Sequence, residues 1–331
     1  MLNIAILGCG YWGKNLIRAF LTADVNIRYV MDRNDDKLNA VKKLRPSITV
    51  TKHTEDIFKD PSVDAVVVAL PASEHYKTAK AAIEHDKHVL VEKPMADSLS
   101  AANEIAELAD KKEKILMCDH TFLYTDSVRK IRELIQQGSL GSLQYYDSVR
   151  YNLGRFQLDV NVLGDLAVHD FSILNYICDK LPHSVSATGI SHTGNIEDIA
   201  YVTLFYEDNF IAHINVSWIS PIKIRKVLIG GSKKMLLFDD TEPIEKLTIY
   251  NSGYAQYIEN ERIKYSYHTG DVDTPILSAA EALVSMAQDF ISAINNHRSP
   301  VSDSKAGIDT MILLDAVQKS VKLNGREILI G

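Results

Sequence analysis

The sequence predicts an α/β chain in two parts: a doubly wound parallel sheet, then an α+β domain on an open, mainly antiparallel sheet. Three observations predict it. Over the first 120 residues short apolar runs alternate with segments of helical periodicity. A glycine-rich turn, Gly8-Cys9-Gly10-Tyr11-Trp12-Gly13, joins the first run to the first helix. Beyond about residue 120 the segments become β-rich and follow one another without crossover helices. At 331 residues the chain suits two domains, since single cores rarely grow past about 250 to 300 residues. The expected boundaries are 1–120 and 121–331, with the C-terminal helices free to pack back on the first domain.

The elements follow in order. "LNIAIL" at 2–7 is a short apolar strand, and Leu16, Ile17 and Phe20 recur at helical spacing after it. "IRYVMD" is a strand, "KLNAVKKL" a helix, "DAVVVALP" a strand, "HYKTAKAAIEH" a helix, and "KHVLVEKP" a strand again. Strands apolar on both faces with helices between them imply a parallel sheet covered on both sides. In the second part, "LQYYDSVRYN", "DIAYVTLFYED", "FIAHINVSWI", "RKVLIGG", "KMLLFDD" and "EKLTIYN" read as strands. Ser278 and Glu281 form a capping-box pattern before "EALVSMAQDFISAI", and "DTMILLDAVQKSV" supplies a last helix.

Composition excludes several classes. Hydrophobic residues are 46% and charged residues 24%, the balance of a globular protein rather than a disordered one. Acids outnumber bases 43 to 36, for a net charge of -7, and that field disfavours nucleic acid as a partner. The beginning has neither the basic region nor the unbroken apolar run of a signal peptide, and no apolar stretch is long enough to span a bilayer. Cys9, Cys118 and Cys178 show no CxxC spacing and no even disulfide count, which points to a reducing cytoplasm.

The glycine turn carries a dinucleotide expectation. Gly8 permits the tight turn, Gly10 lets backbone approach a pyrophosphate, and Gly13 allows close helix packing, while amides near Tyr11 and Trp12 face phosphates. A lone GxGxxG is weak, but here it opens the first helix and the second strand ends in Asp32, where a carboxylate binds ribose hydroxyls. Asp32 favours NAD by accepting the 2′-OH and repelling a 2′-phosphate; Arg33 beside it leaves NADP open. Cys9 reads as a small filler rather than a reactive thiol.

"HVLVEKP", residues 88–94, ends a buried strand with Glu92, Lys93 and Pro94. Such a strand also ends this way for purely structural reasons. Its end, however, falls on the carboxyl edge of the parallel sheet, outside which ligands of open α/β sheets bind. Lys93 there would serve as a base only if its pKa fell by about three units; as a cation it would hold a substrate hydroxyl without any shift.

Gly8 to Gly13, Asp32, "ALPASEH" and "VEKP" together resemble the Gfo/Idh/MocA family of NAD(P)-dependent oxidoreductases, over most of the chain. The resemblance implies a Rossmann domain in which Leu70, Pro71 and His75 line the cofactor cleft and Glu92, Lys93 and Pro94 stand at the nicotinamide end. His75 also reads as a mere support for its helix. Where such sequences often have alanine-glycine-lysine, this one has His85-Asp86-Lys87; aspartate tolerates the left-handed conformation better than most residues. The family's second domain packs its open sheet on another subunit, which implies a homodimer or homotetramer.

One segment of the second part carries chemistry: "GDLAVHDFSILNYIC", 164–178. At helical spacing Asp165, His169, Ser172 and Tyr176 share one stripe, with Ala167, Phe171, Leu174 and Cys178 opposite. Asp165 stands one turn from His169, close enough to orient an imidazole that titrates near neutrality. Alone, the pair also reads as a solvated interaction or as two metal ligands; no metal is expected. Beside "EKP" it matches the family's aspartate and histidine. The resulting catalytic set is Lys93 as hydroxyl anchor, Asp165 as orienter and His169 as proton carrier. His120, Asn152, Arg155 and His169 are the substrate-side candidates, with Arg155 suited to a diphosphate. Trp218 reads as core or interface.

The expected function is hydride transfer between a nicotinamide cofactor and a sugar or sugar-nucleotide carbinol or ketone. "HTFLY", "VNVLGDLAVHD" and "VSWISPIKIR" resemble the sugar-nucleotide 3-dehydrogenase branch, with Gly164 smaller than the residue expected there. NAD-dependent glycoside hydrolysis and a non-catalytic cofactor-binding regulator remain the alternatives.

Overall fold

The computed structural model describes residues 1–154, 156 and 159–331. The chain divides into two units, one formed by 1–125 and 280–312, the other by 126–279 and 313–331.

The first unit holds a six-stranded parallel sheet. Its strands are β1 (Asn3–Leu7), β2 (Asn26–Met31), β3 (Thr49–Thr51), β4 (Ala65–Val68), β5 (His88–Val91) and β6 (Leu116–Cys118), in the order β3-β2-β1-β4-β5-β6. Between them run α1 (Tyr11–Thr22), α2 (Asp35–Leu44), α3 (Glu55–Phe58), α4 (His75–Glu84) and α5 (Leu99–Lys111). The order reverses direction at β1, so the turns after β1 and β4 open at the switch point of the sheet. Ile4–Leu7, Ala65–Val68 and Val89–Val91 are wholly buried, as strands covered on both faces require. The sequence reading passes over α5 and β6. Ser98 caps α5 by accepting from the Ala101 amide at 3.3 Å. Asp86 takes φ +62 at the end of α4, the left-handed position read from the sequence.

The second unit contains α6 (Asp126–Gln136), β7 (Leu143–Leu153), a π-turn at Leu163–Ala167 and α7 (Val168–Cys178). The strands β8 (Ser184–Ile190), β9 (Ile199–Phe205), β10 (Ile211–Ser217), β11 (Ile219–Gly231), β12 (Met235–Asp239), β13 (Leu247–Glu259) and β14 (Arg262–Asp273) follow. With the terminal β15 (Ile328–Leu329) and β7 they form a nine-stranded sheet, antiparallel except where β10 pairs with β7. β12 pairs only with Leu247–Tyr250 of β13, so β13 and β14 continue past it as a two-stranded arm. One face of that arm pairs Tyr254 with Tyr267, Gln256 with Tyr265 and Ile258 with Ile263. All six are exposed.

The helices α8 (Ala282–Asn296) and α9 (Ser304–Lys322) return to the first unit, which α9 leaves after Ile312. Phe290 of α8 packs edge-on against Phe20 of α1, the Asp289 carboxylate accepts from the Tyr124 hydroxyl at 2.8 Å, and Ser302 Oγ donates to the Cys118 carbonyl at 2.7 Å. The expected capping box at Ser278 and Glu281 does not form. α8 starts at Ala282, Glu281 occupies the cap position without a side-chain cap bond, and its carboxylate binds Arg18 of α1 through both oxygens. Pairing with a guanidinium displaces the local bond.

Candidate active site

The turn after β1 is built by close approach. Gly8 has φ +100, and a Cβ there would collide with the Ala69 carbonyl; one on Gly13 would strike the Gly8 carbonyl. A side chain at either would push β1, α1 and the β4 end apart. At Gly10 a Cβ would meet nothing within 4 Å, so this glycine borders open space. α1 begins there without a capping side chain, and Tyr11 and Trp12 on its first turn are exposed. Such a helix start attracts anions.

Asp32, at the end of β2, is 8% exposed. It accepts from the Cys9 amide at 2.8 Å and the Asn34 amide at 2.9 Å, and the Lys37 ammonium lies 3.3 Å from Oδ2. Burial works to raise its pKa, but these donors hold the carboxylate below its ordinary range. Lys37 was missed in the sequence; it sits one helical turn into α2, where spacing alone does not aim a side chain. Arg33 is largely exposed and reaches toward Glu74 at 3.9 Å. Burial, then the Asp32 charge, push the Cys9 thiol up to about 12, consistent with a filler.

The ends of β4 and β5 carry Leu70, Pro71, Glu92, Lys93 and Pro94. The nitrogens of His75, 1% exposed, lie 2.7 Å from the Pro94 carbonyl oxygen and 2.8 Å from that of Leu70. His75 therefore ties the two strand ends together as well as opening α4. The Lys93–Pro94 peptide is cis. Glu92 is 7% exposed and His120, after β6, is 1% exposed. Burial, then the Lys93 charge, push the His120 imidazole down to about 4, so it is neutral at pH 7.

In the second unit Asp165 lies in the π-turn and His169 in the first turn of α7; both are partly exposed on a segment whose other residues from Val162 to Leu174 are buried. π-turns recur at functional sites because they re-aim side chains within a helix. The Asp165 carboxylate accepts from the Trp218 indole at 2.9 Å. Trp218 is wholly buried, as core was read, but its N–H serves the site. Asp170, next to His169, anchors α7 to the sheet. Buried completely, it accepts from Tyr146 at 2.9 Å, Ser148 at 2.7 Å and Arg150 at 3.0 Å, all on β7. Ser172, placed on one stripe with Asp165, His169 and Tyr176, is buried and donates to the His169 carbonyl at 2.8 Å, while Tyr176 stacks under Arg132. A Cβ on Gly164 would meet Val160 at ordinary contact distance, so nothing steric enforces glycine. Asn152 lies on β7 and is partly exposed; Arg155 lies outside the described residues.

Gly8, Gly10, Tyr11, Trp12, Gly13, Asp32, Arg33, Leu70, Pro71, His75, Glu92, Lys93, Pro94 and His120 thus gather along the carboxyl edge of one sheet. The open backbone at Gly10, the uncapped helix start and the anionic Asp32 fit a dinucleotide: phosphates at the first turn of α1, ribose at Asp32.

Residues 2–120 match the model of the oxidoreductase family described by an NAD-binding Rossmann fold, and residues 128–237 match the Gfo/Idh/MocA C-terminal domain. An uncharacterised oxidoreductase of Escherichia coli is 29% identical over 147 residues, 44% of this chain and 42% of that protein, so the chain spans less than half the length of that relative. UDP-N-acetylglucosamine 3-dehydrogenase of Acidithiobacillus ferrooxidans is 24% identical over 258 residues, 74% of each chain. The structure of levoglucosan dehydrogenase with NADH and L-sorbose superposes with a TM-score of 0.85 at 16% identity, covering 100% of this chain and 99% of that one. Residues 2–120 form the NAD-binding Rossmann domain of the Gfo/Idh/MocA family of oxidoreductases, to which the chain belongs.

Proposed function

We propose that this protein is an NAD-linked dehydrogenase that interconverts a carbinol and a ketone on a sugar or sugar nucleotide, at C3 of the ring. The observation that carries the reading is the carboxyl edge of the first unit, where the glycine turn, Asp32 and Lys93 share one sheet edge. Bound there, NAD supplies the hydride acceptor. Lys93 holds the substrate hydroxyl and stabilises negative charge developing on its oxygen. His169 takes the hydroxyl proton in oxidation and returns it in reduction, and Asp165 fixes the imidazole. Asn152 and His120 contribute to the substrate side, as does Arg155 for a diphosphate. The relatives that act on UDP-N-acetylglucosamine and on levoglucosan support a sugar class.

The protein works as a homo-oligomer in this reading, supported by the exposed aromatic and aliphatic face of the β13–β14 arm, since a solvated two-stranded arm is marginal on its own. No helix among the described residues is long and apolar enough to cross a membrane, and three free thiols suit the reducing cytoplasm.

The test is a panel of free sugars and nucleotide sugars, assayed for NAD reduction with native protein and with Lys93→Ala and His169→Ala. Reduction that depends on both residues supports the assignment. Reduction by no member of the panel overturns the substrate class.

A further inference from the structure

β5 and β6 are neighbours, with Val91 paired to Cys118, so the next residue of each strand leaves the sheet edge beside the other. Those residues are Glu92 and Asp119. Their amides close the ladder, Glu92 onto the Val68 carbonyl at 2.9 Å and Asp119 onto the Val91 carbonyl at 2.8 Å, which fixes both backbones. Both side chains are inside the protein, Glu92 at 7% and Asp119 at 3% exposure.

Leaving the sheet edge side by side and buried, the two carboxyls interact directly, each acting on the other's ionisation. Two ionised carboxylates facing one another in a buried setting repel, whereas a proton on one of them supplies a hydrogen bond to the other. The surroundings decide which. Asp119 Oδ1 accepts from the Thr121 amide at 3.1 Å and from the Thr121 hydroxyl, donors that favour an anion. Glu92 is less well supplied: the Lys93 backbone amide favours its anion, but its buried Oε1 meets no hydrogen-bond partner among the described residues. Burial, reinforced by the Asp119 charge, pushes Glu92 well above the usual carboxylate range. Burial raises Asp119 as well, against the opposing Thr121 and Glu92 bonds. These are the only carboxyls raised among the described residues for which a shift is resolved.

Three titratable groups adjoin the pair. The Lys93 ammonium favours ionisation of both carboxyls; the Cys118 thiol is held protonated by burial and by the two acids; the His120 imidazole is neutral. The cluster therefore presents one cation. Two carboxylates would overcompensate it, and two neutral acids would leave it unbalanced in a buried setting.

We propose that Glu92 and Asp119 hold one proton between them, Glu92 donating and Asp119 accepting, and that this monoanion positions the Lys93 ammonium at the sheet edge. Glu92 and Asp119 are positioning residues, acting through Lys93. The functional consequence rests on the reading of Lys93 as hydroxyl anchor, whose ammonium the adjoining monoanion holds in place. The pair itself exists without substrate or cofactor.

Infrared spectroscopy of the substrate-free protein at pH 7 tests this, because exposed acids are ionised there and a carboxylic C=O stretch reports a buried proton. Native protein should show such a band, shifted by ¹³C-carboxyl glutamate labelling and absent in Glu92→Gln. Labelling of native protein assigns the band even if that variant fails to fold. In Lys93→Met the loss of positive charge should bring uptake of a second proton by the pair to higher pH, by roughly one to three units. Absence of the band, or a band moved by neither glutamate nor aspartate labelling, overturns the shared proton. An unchanged titration in Lys93→Met overturns the positioning of Lys93. If the spectra follow expectation while no sugar reduces NAD, the dehydrogenase reading fails and the pair stands.

Discussion

The Trp218 indole donates a 2.9 Å hydrogen bond to Oδ2 of Asp165. The tryptophan follows β10, its own amide bonds to the Asp198 carbonyl at 2.9 Å, and its ring is wholly buried. It therefore fixes the carboxylate from a rigid base, leaving Oδ1 to serve other partners.

Trp218→Phe keeps a ring in the core and removes that donor. The expected result is a folded protein whose turnover falls roughly 5- to 30-fold, corresponding to about 1–2 kcal/mol of lost orientation, with NAD affinity unchanged. Steady-state kinetics beside calorimetric NAD titration checks it.

His169→Ala should lower turnover by about 10² to 10⁴ while leaving NAD affinity near native, because His169 stands in the second unit and the glycine turn and Asp32 in the first. Lys93→Ala should reduce turnover too and disturb NAD binding, given its place at the cofactor edge. Asp165→Asn should keep the fold and slow turnover. Native-like turnover in His169→Ala removes it from proton transfer.

Asp32 predicts both a cofactor preference and an acid limit. NAD(H) should bind more tightly than NADP(H), and Asp32→Ser should narrow the difference, as read by calorimetry; tighter NADP(H) binding would make Arg33 the deciding residue. The folded-state pKa of Asp32 is depressed below the unfolded value, as are those of Asp198 and Asp239. Their stabilisation is complete above the unfolded carboxylate pKa, about 3.9, and is lost as pH falls through the lower folded values. The difference in urea-unfolding stability between native protein and Asp32→Asn should stay constant from pH 7 to about pH 4 and shrink below it.

The arm formed by β13 and β14 predicts its own outcome. Ile263→Ser with Tyr265→Ser replaces two exposed apolar side chains and leaves the buried β12 contacts of Leu247 and Ile249 in place. Light scattering after size exclusion should report a smaller assembly than native protein. An unchanged mass would free the arm from any part in assembly.

Local chemistry was legible in the sequence wherever spacing alone determines geometry. Gly8, Gly13 and Asp32 could be placed because a glycine turn and a strand end fix backbone positions, and Asp86 because a left-handed helix end has few tolerant residues. What escaped depends on distance along the chain. Trp218 lies 53 residues from Asp165, and Glu281 lies 263 from Arg18, which takes it from the expected capping box. Asp119 escaped because β6 has only three residues, too few for a periodic signal. The π-turn escaped because one extra residue per turn leaves no mark in an apolar segment.

The division of the first unit between 1–125 and 280–312 has a consequence for synthesis. A ribosome delivers all six strands of the parallel sheet by Cys118, yet Phe290 against Phe20 and Ser302 against the Cys118 carbonyl close that unit only after strands β7 to β14 have been made. The nascent Rossmann sheet must wait, with one flank of α1 and the β6 edge uncovered, while the second unit emerges. Completion of the first unit is therefore last for the part made first, and its window of exposure to chaperones spans the synthesis of strands β7 to β14.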